Sequence, residues 1–172
     1  MFLSEFDFDL PEELVATRPA SPRSSSRLLV ARGNNIDDSF VNDLPKFLKS
    51  GDRIVLNDTK VLPARLSGIR NRLIEDNKTT SANIEVTLLA AKKDRIWSAL
   101  VKPLRKIKLS EEIFFDKNFR AKLVDKIDGQ ALLQFNIEGP EFFEYLNSLG
   151  VMPLPPYIAS KRQADNNDKL DY

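Results

Sequence analysis

From Ala64 onward, apolar and polar residues alternate in short runs of even length. Ala64–Ile69, Ile84–Ala91, Ile96–Val101, Ile113–Phe115, Phe119–Val124 and Ala131–Phe135 each read as a strand, separated by Gly or charged turns. Such spacing is the mark of a small antiparallel barrel or sandwich. The polar stretch from Arg70 to Ala82 reads as a mobile hairpin loop. Residues 140–149 change period: Phe142, Phe143, Leu146 and Leu149 fall at helical spacing, and Gly150 supplies a C-terminal stop.

Before Ala64 the pattern is more broken. Phe6-Asp7-Phe8-Asp9-Leu10 alternates like a short half-buried strand, and Pro11-Glu12-Glu13-Leu14 suits a helix start, with Pro in the first turn and acids at the positive end of the dipole. Leu28–Ala31 and Arg53–Asn57 read as buried strands, with a short helix over 43–48 between them. Met152–Ile158 is a proline-rich extended connector, and the chain after Ser160 is polar with no packed element.

Composition narrows the chemistry. The 172 residues contain neither Cys nor His, which removes thiolate nucleophiles, Cys–His metal sites and the commonest general base. No GxGxxG or P-loop pattern occurs. No apolar run approaches the ~20 residues of a membrane helix, and the acidic N-terminus lacks a signal-peptide pattern, so no membrane association and a cytoplasmic location are expected. The net charge of +1 conceals an asymmetry. Residues 60–108 carry 12 basic and 4 acidic side chains, while the flanking segments are both net acidic. That stripe is either a face for a polyanion or a solvated sheet with guarded edges.

Three clusters and one aromatic residue could carry function, each with a structural alternative. Asn57-Asp58-Thr59, followed by Arg65, is either a binding motif at a strand end or a turn closed by an Asx side chain. The loop from Arg18 to Arg27 could grip an anion in bidentate fashion or merely be solvated. Met152–Ile158, with Tyr157 near its end, is a ligand wall, a docking motif or a rigid strut. Trp97, bordered by Lys92, Lys93, Arg95 and Lys102, is either a stacking platform or a core residue.

Four ordered motifs resemble those of the S-adenosylmethionine:tRNA ribosyltransferase-isomerases. They are Phe6–Leu14, Ser26–Val30, the stretch from Gly51-Asp52 through Val55-Leu56-Asn57-Asp58-Thr59 to Pro63-Ala64-Arg65-Leu66, and Met152–Ile158. The resemblance implies an α/β domain with an inserted small antiparallel β-barrel. In that scheme residues 1–65 begin the α/β domain, 66–138 form the barrel, and 139–172 return by a helix and connector. It further implies transfer and isomerisation of the ribosyl group of S-adenosylmethionine onto 7-aminomethyl-7-deazaguanine in tRNA, giving epoxyqueuosine-tRNA, adenine and methionine, with no metal. Asp58 and Arg65 would border the active site, with Asn57 and Thr59 orienting substrate and Arg27 and Tyr157 as further pocket residues. Arg70, Lys92, Lys93 and Arg95 would meet tRNA phosphates, and the protein would act as a monomer. Family members are about twice this long and continue into Gln-Thr-Val-Tyr-Ala and Pro-Thr-Ala-Gly-Leu-His-Phe motifs absent here. A truncated tRNA-binding module without catalysis is therefore the alternative.

Overall fold

The computed structural model describes residues 2–74 and 78–171. It has an α/β-plus-β composition and divides into two compact units, one built mainly from the chain up to Thr59 and the other from Lys60–Ala159 with Gln163–Leu170.

In the first unit β1 (Arg27–Arg32) pairs antiparallel with β2 (Asn35–Phe40), from Arg27 opposite Phe40 to Arg32 opposite Asn35. Gly33, at φ +59°, and Asn34 make the two-residue turn, a composition suited to positive φ. The sequence pattern missed β2 because two adjacent aspartates, Asp37 and Asp38, interrupt it. β1 is not the buried strand its apolar run suggested, since Leu29 is 63% exposed. The predicted helices at 11–14 and 43–48 are 3-10 turns, Glu12–Leu14 and Val41–Phe47. Phe6–Leu10 is not a strand. Nor is Arg53–Asn57: Val55 and Leu56 are 87% and 80% exposed, and an apolar run becomes a strand only beside a partner.

The second unit is a closed antiparallel barrel of six strands. They are β3 (Arg65–Leu73), β4 (Thr79–Ala91), β5 (Ile96–Lys102), β6 (Glu112–Phe114), β7 (Arg120–Ile127) and β8 (Gln130–Phe135), in the order β3-β4-β5-β8-β7-β6. All six segments expected from the alternation are strands. The polar loop expected over 70–82 is mostly strand as well. Asn71 faces Ser81 and the two side chains share a 2.7 Å hydrogen bond on the solvated face, while residues 75–77 lie outside the described part. Polarity there reflects a half-exposed sheet rather than a loop.

Inward positions alternate with outward ones, and Leu66, Ile84, Val86, Leu123, Leu133 and Phe135 fill the interior at 1% exposure or less. Gly68 lets the barrel close: a Cβ there would meet Ile113 Cγ2 at 2.6 Å and the Phe114 carbonyl oxygen at 2.9 Å, where β6 crosses β3. Asp128-Gly129, both at positive φ, turn β7 into β8.

The ring order makes the link between β5 and β6 unusual in position. Those strands stand three places apart in a ring of six, so residues 103–111 must pass across one mouth of the barrel. Ile107 plugs that mouth at 0% exposure. Lys126 on β7 ties the link down, donating to the Leu104 and Ile107 carbonyls at 3.2 and 2.7 Å.

The other mouth is closed by helix α1 (Gly139–Leu149), the predicted helix. Phe142 and Leu146 are its buried residues, and Phe142 stacks on Trp97 with centroids 5.3 Å apart. Phe119 lies against Tyr145 at 4.9 Å and Phe135 at 5.3 Å. Trp97 and these phenylalanines are therefore core residues. After α1 the chain forms a two-bond bridge, with the Arg65 N–H donating to Val151 O at 3.2 Å and the Val151 N–H to Arg65 O at 2.8 Å. The connector keeps Met152 and Ile158 buried and ends in a single helical turn, Pro156–Ala159; a second turn, Asp168–Asp171, follows in the segment expected to lack structure.

Candidate functional site

In the first unit, Asn57 Oδ1 accepts hydrogen bonds from the Thr59 N–H at 3.0 Å and the Thr59 hydroxyl at 2.6 Å. This is the Asx-closed turn that was the structural alternative for these residues. The turn holds the backbone on both sides of Asp58, whose exposed carboxylate has no hydrogen bond or ion pair among the described residues. Arg27, at the start of β1, pairs with Asp38 at 3.3 Å, but both side chains are more than 70% exposed, so the pair contributes little.

In the barrel unit, Arg65 opens β3 and donates to Glu85 Oε2 at 2.6 Å. The pair is about 40% and 36% exposed, which leaves guanidinium N–H groups facing solvent. Tyr157 sits in the helical turn that ends the connector and is 54% exposed.

Arg70 stands differently from its expected role. It occupies the same face of β3 as Leu66 and Gly68 and is 5% exposed, its Nη1 reaching Thr80 O and Oγ1 at 3.4 Å and its Nε without a partner among the described residues. A guanidinium directed into the barrel is not presented to phosphates.

Lys92, Lys93 and Arg95 are exposed on the β4–β5 hairpin, at the α1 end of the barrel. Asp94 and Arg95 both have positive φ, and the Phe135 N–H donates to the Arg95 carbonyl at 3.0 Å. Arg95 lines a groove of about 150 Å³ with Arg120, Lys122, Gln134 and Asn136. Arg120 and Lys122 were missed from sequence. The signal was there in β7, where they alternate with the buried Ala121 and Leu123, and register then sets Lys122 opposite Gln134. A larger groove of about 520 Å³ lies on the outer face of β3, β4 and β6, where Ser67, Asn83 and Lys102 surround the side chains of Ile69 and Phe114.

The ion pair between Arg72 and Glu111 is partly enclosed, with side chains 29% and 18% exposed. Arg72 grips Glu111 through both carboxylate oxygens, with Nη2–Oε2 at 2.9 Å, and the Lys108 N–H donates to the same Oε2 at 2.7 Å. The Arg72 guanidinium foremost, aided by that amide, holds the Glu111 carboxyl down at about 2.

The β4–β5 hairpin of the closed barrel thus exposes Lys92, Lys93 and Arg95, none of them ion-paired among the described residues. The chain belongs to the queuosine biosynthesis protein family, whose model matches residues 3–172. It is 58% identical to the S-adenosylmethionine:tRNA ribosyltransferase-isomerases of Roseobacter denitrificans and Ruegeria pomeroyi, over all of this chain and 49% of each relative. The chain thus spans about half the length of the curated relatives it matches. A crystal structure described as S-adenosylmethionine tRNA ribosyltransferase from Thermotoga maritima is 31% identical, covering 91% of this chain and 53% of that one, with a TM-score of 0.40. Among the described residues no helix is long and apolar enough to cross a membrane.

Proposed function

We infer that this chain is part of an S-adenosylmethionine:tRNA ribosyltransferase-isomerase, acting in the cytoplasm as a monomer. The reaction moves the ribosyl group of S-adenosylmethionine onto 7-aminomethyl-7-deazaguanine in tRNA and isomerises it, yielding epoxyqueuosine-tRNA, adenine and methionine. S-adenosylmethionine is a co-substrate, and no metal takes part. The observation that carries this reading is the 58% identity to an enzyme of that name along the whole of this chain.

Proton removal beside the sulfonium opens the chemistry. The positive sulfur already acidifies that C–H, so a carboxylate suffices as base. Asp58 has the exposure this needs, and the Asn57–Thr59 turn fixes its backbone. Asn57 and Thr59 orient substrate with the hydrogen-bonding capacity the turn leaves over. Arg65, Arg27 and Tyr157 contribute further contacts, and Lys92, Lys93 and Arg95 meet tRNA phosphates. Arg70 contributes charge from within the barrel.

A second reading rests on the exposed Lys92, Lys93 and Arg95 of the β4–β5 hairpin: the chain holds tRNA without catalysing transfer. One assay separates the two. The chain is incubated with S-adenosylmethionine and tRNA bearing 7-aminomethyl-7-deazaguanine, and adenine is measured by mass spectrometry beside a full-length relative. Adenine release supports the enzymatic reading for this chain. Silence with a working control and retained tRNA binding supports the second, and silence with no tRNA binding defeats both.

A further inference from the structure

The segment that crosses the mouth of the barrel opposite α1, Lys102-Pro103-Leu104-Arg105-Lys106-Ile107-Lys108, carries four cations in seven residues and no acid. Lys102, Arg105, Lys106 and Lys108 are all exposed, and none has a carboxylate partner among the described residues. Like charges so close together repel one another, and a chain free to move would spread them apart. Here it is not free. Ile107 is driven into the core at 0% exposure, Lys126 binds the carbonyls of Leu104 and Ile107, and Arg72 Nη2 reaches the Lys106 carbonyl at 3.5 Å.

The neighbouring carboxylates relieve little of this charge. Glu111 is taken up by Arg72, and Glu112 is paired with Arg120 at 3.3 Å. Glu85, opposite Lys102 across β4 and β5, is paired with Arg65 at 2.6 Å, and Asp125 and Asp128 lie on β7 and the turn after it. Lys126 adds a further positive charge to which the strap supplies only carbonyls. The buried Arg70, whose Nε has no partner among the described residues, adds another from beneath.

We propose that this strap is a preorganised phosphate-binding surface for RNA, separate from the Lys92–Arg95 hairpin. It deepens the tRNA reading given above and rests on it. The hairpin and the strap lie at opposite ends of β5, which at the rise of an antiparallel strand places them roughly 20 Å apart. The two surfaces therefore meet different phosphates of one RNA. Because the strap is already anchored at its centre, binding orders only side chains, which favours a stable contact over a transient one.

The test uses the intact chain and an unmodified tRNA transcript, with affinity measured across salt concentrations. Wild type is compared with R105Q/K106Q/K108Q and with the charge-preserving R105K/K106R/K108R. Trp97 emission checks that each variant is folded. The neutral triple variant is expected to shallow the slope of log K against log salt by about 2 to 3, since each lost phosphate contact removes roughly 0.7–0.9. The charge-preserving variant should keep the wild-type slope. If the neutral variant keeps that slope while K92Q/K93Q loses part of it, the strap proposal fails and the tRNA reading stands. If the wild-type chain does not bind the transcript even at low salt, both fail. Loss of affinity for anionic vesicles instead of RNA would also overturn the proposal, pointing to a membrane surface.

Discussion

Gly150 ends α1, yet its backbone is ordinary, with φ −75° and ψ 147°, a conformation any residue adopts. Its role is spatial. A Cβ there would overlap the carbonyl oxygens of Pro63 and Leu146 and lie 3.1 Å from the Pro63 carbonyl carbon. These are backbone atoms, so no side chain can rotate aside. Relief requires parting the chain at 150 from the chain at 63, and this strains the two Arg65–Val151 hydrogen bonds. Overpacking of this kind costs about 1–3 kcal/mol, and each weakened hydrogen bond adds about 0.5–1.5 kcal/mol. Against that, Gly→Ala gains about 0.4–1 kcal/mol by restricting the unfolded chain. The balance for Gly150→Ala is a loss of about 2–4 kcal/mol. With an m-value of roughly 2 kcal/mol/M, the urea midpoint followed through Trp97, the sole tryptophan, should fall by about 1–2 M. The sign is diagnostic, because a glycine needed only for flexibility would give an unchanged or raised midpoint. Either result would refute the steric reasoning. Gly129→Ala is the control: there φ is +77° with open space around it, so a smaller loss of about 1 kcal/mol is expected, from conformation alone.

Other outcomes follow from the same geometry. Phe119→Ala, which empties the aromatic layer between barrel and α1, should cost about 3–5 kcal/mol in a denaturant titration. Glu111 is depressed from 4.5 to about 2, so its stabilising contribution is complete above pH 4.5 and is lost as pH falls toward 2. Thermal melts of Glu111→Gln should show less pH dependence across that window than wild type. Asp58→Asn at the matching position of a full-length relative should depress adenine release severely while leaving the melting temperature near wild type; unchanged turnover would remove Asp58 from the chemistry. Reversing Lys92, Lys93 and Arg95 to Glu should weaken tRNA binding and flatten its salt dependence, and an unaltered salt slope would dismiss the hairpin as a contact.

The barrel was legible in the sequence because each strand carries its own alternation and each turn its own punctuation, as Asp128-Gly129 does. The order of those strands was not. That β8 lies beside β5 and β6 beside β3 depends on pairings distant along the chain, which local patterning does not encode. The inward direction of Arg70 could have been read from parity, since it stands an even number of residues from Leu66 on one strand. Its placement in a supposed loop hid that relation. Ile54-Val55-Leu56 misled in the opposite way, because an apolar run records a tendency to pair and says nothing about whether a partner is beside it. The Asx turn at Asn57 was readable from three adjacent residues. The company kept by Arg95, with Arg120 and Lys122 from another strand, was not.

The paired bonds between Arg65 and Val151 bring the two ends of the barrel segment side by side. To the chain on either side, this long excursion is geometrically equivalent to a short loop. An unstructured insertion of that length would carry a closure entropy that grows with the logarithm of its size; a folded one sets its own ends at a fixed small separation. The barrel could thus be shortened, exchanged for another compact module, or cut at a hairpin and rejoined through its ends, with the flanking backbone left where it was.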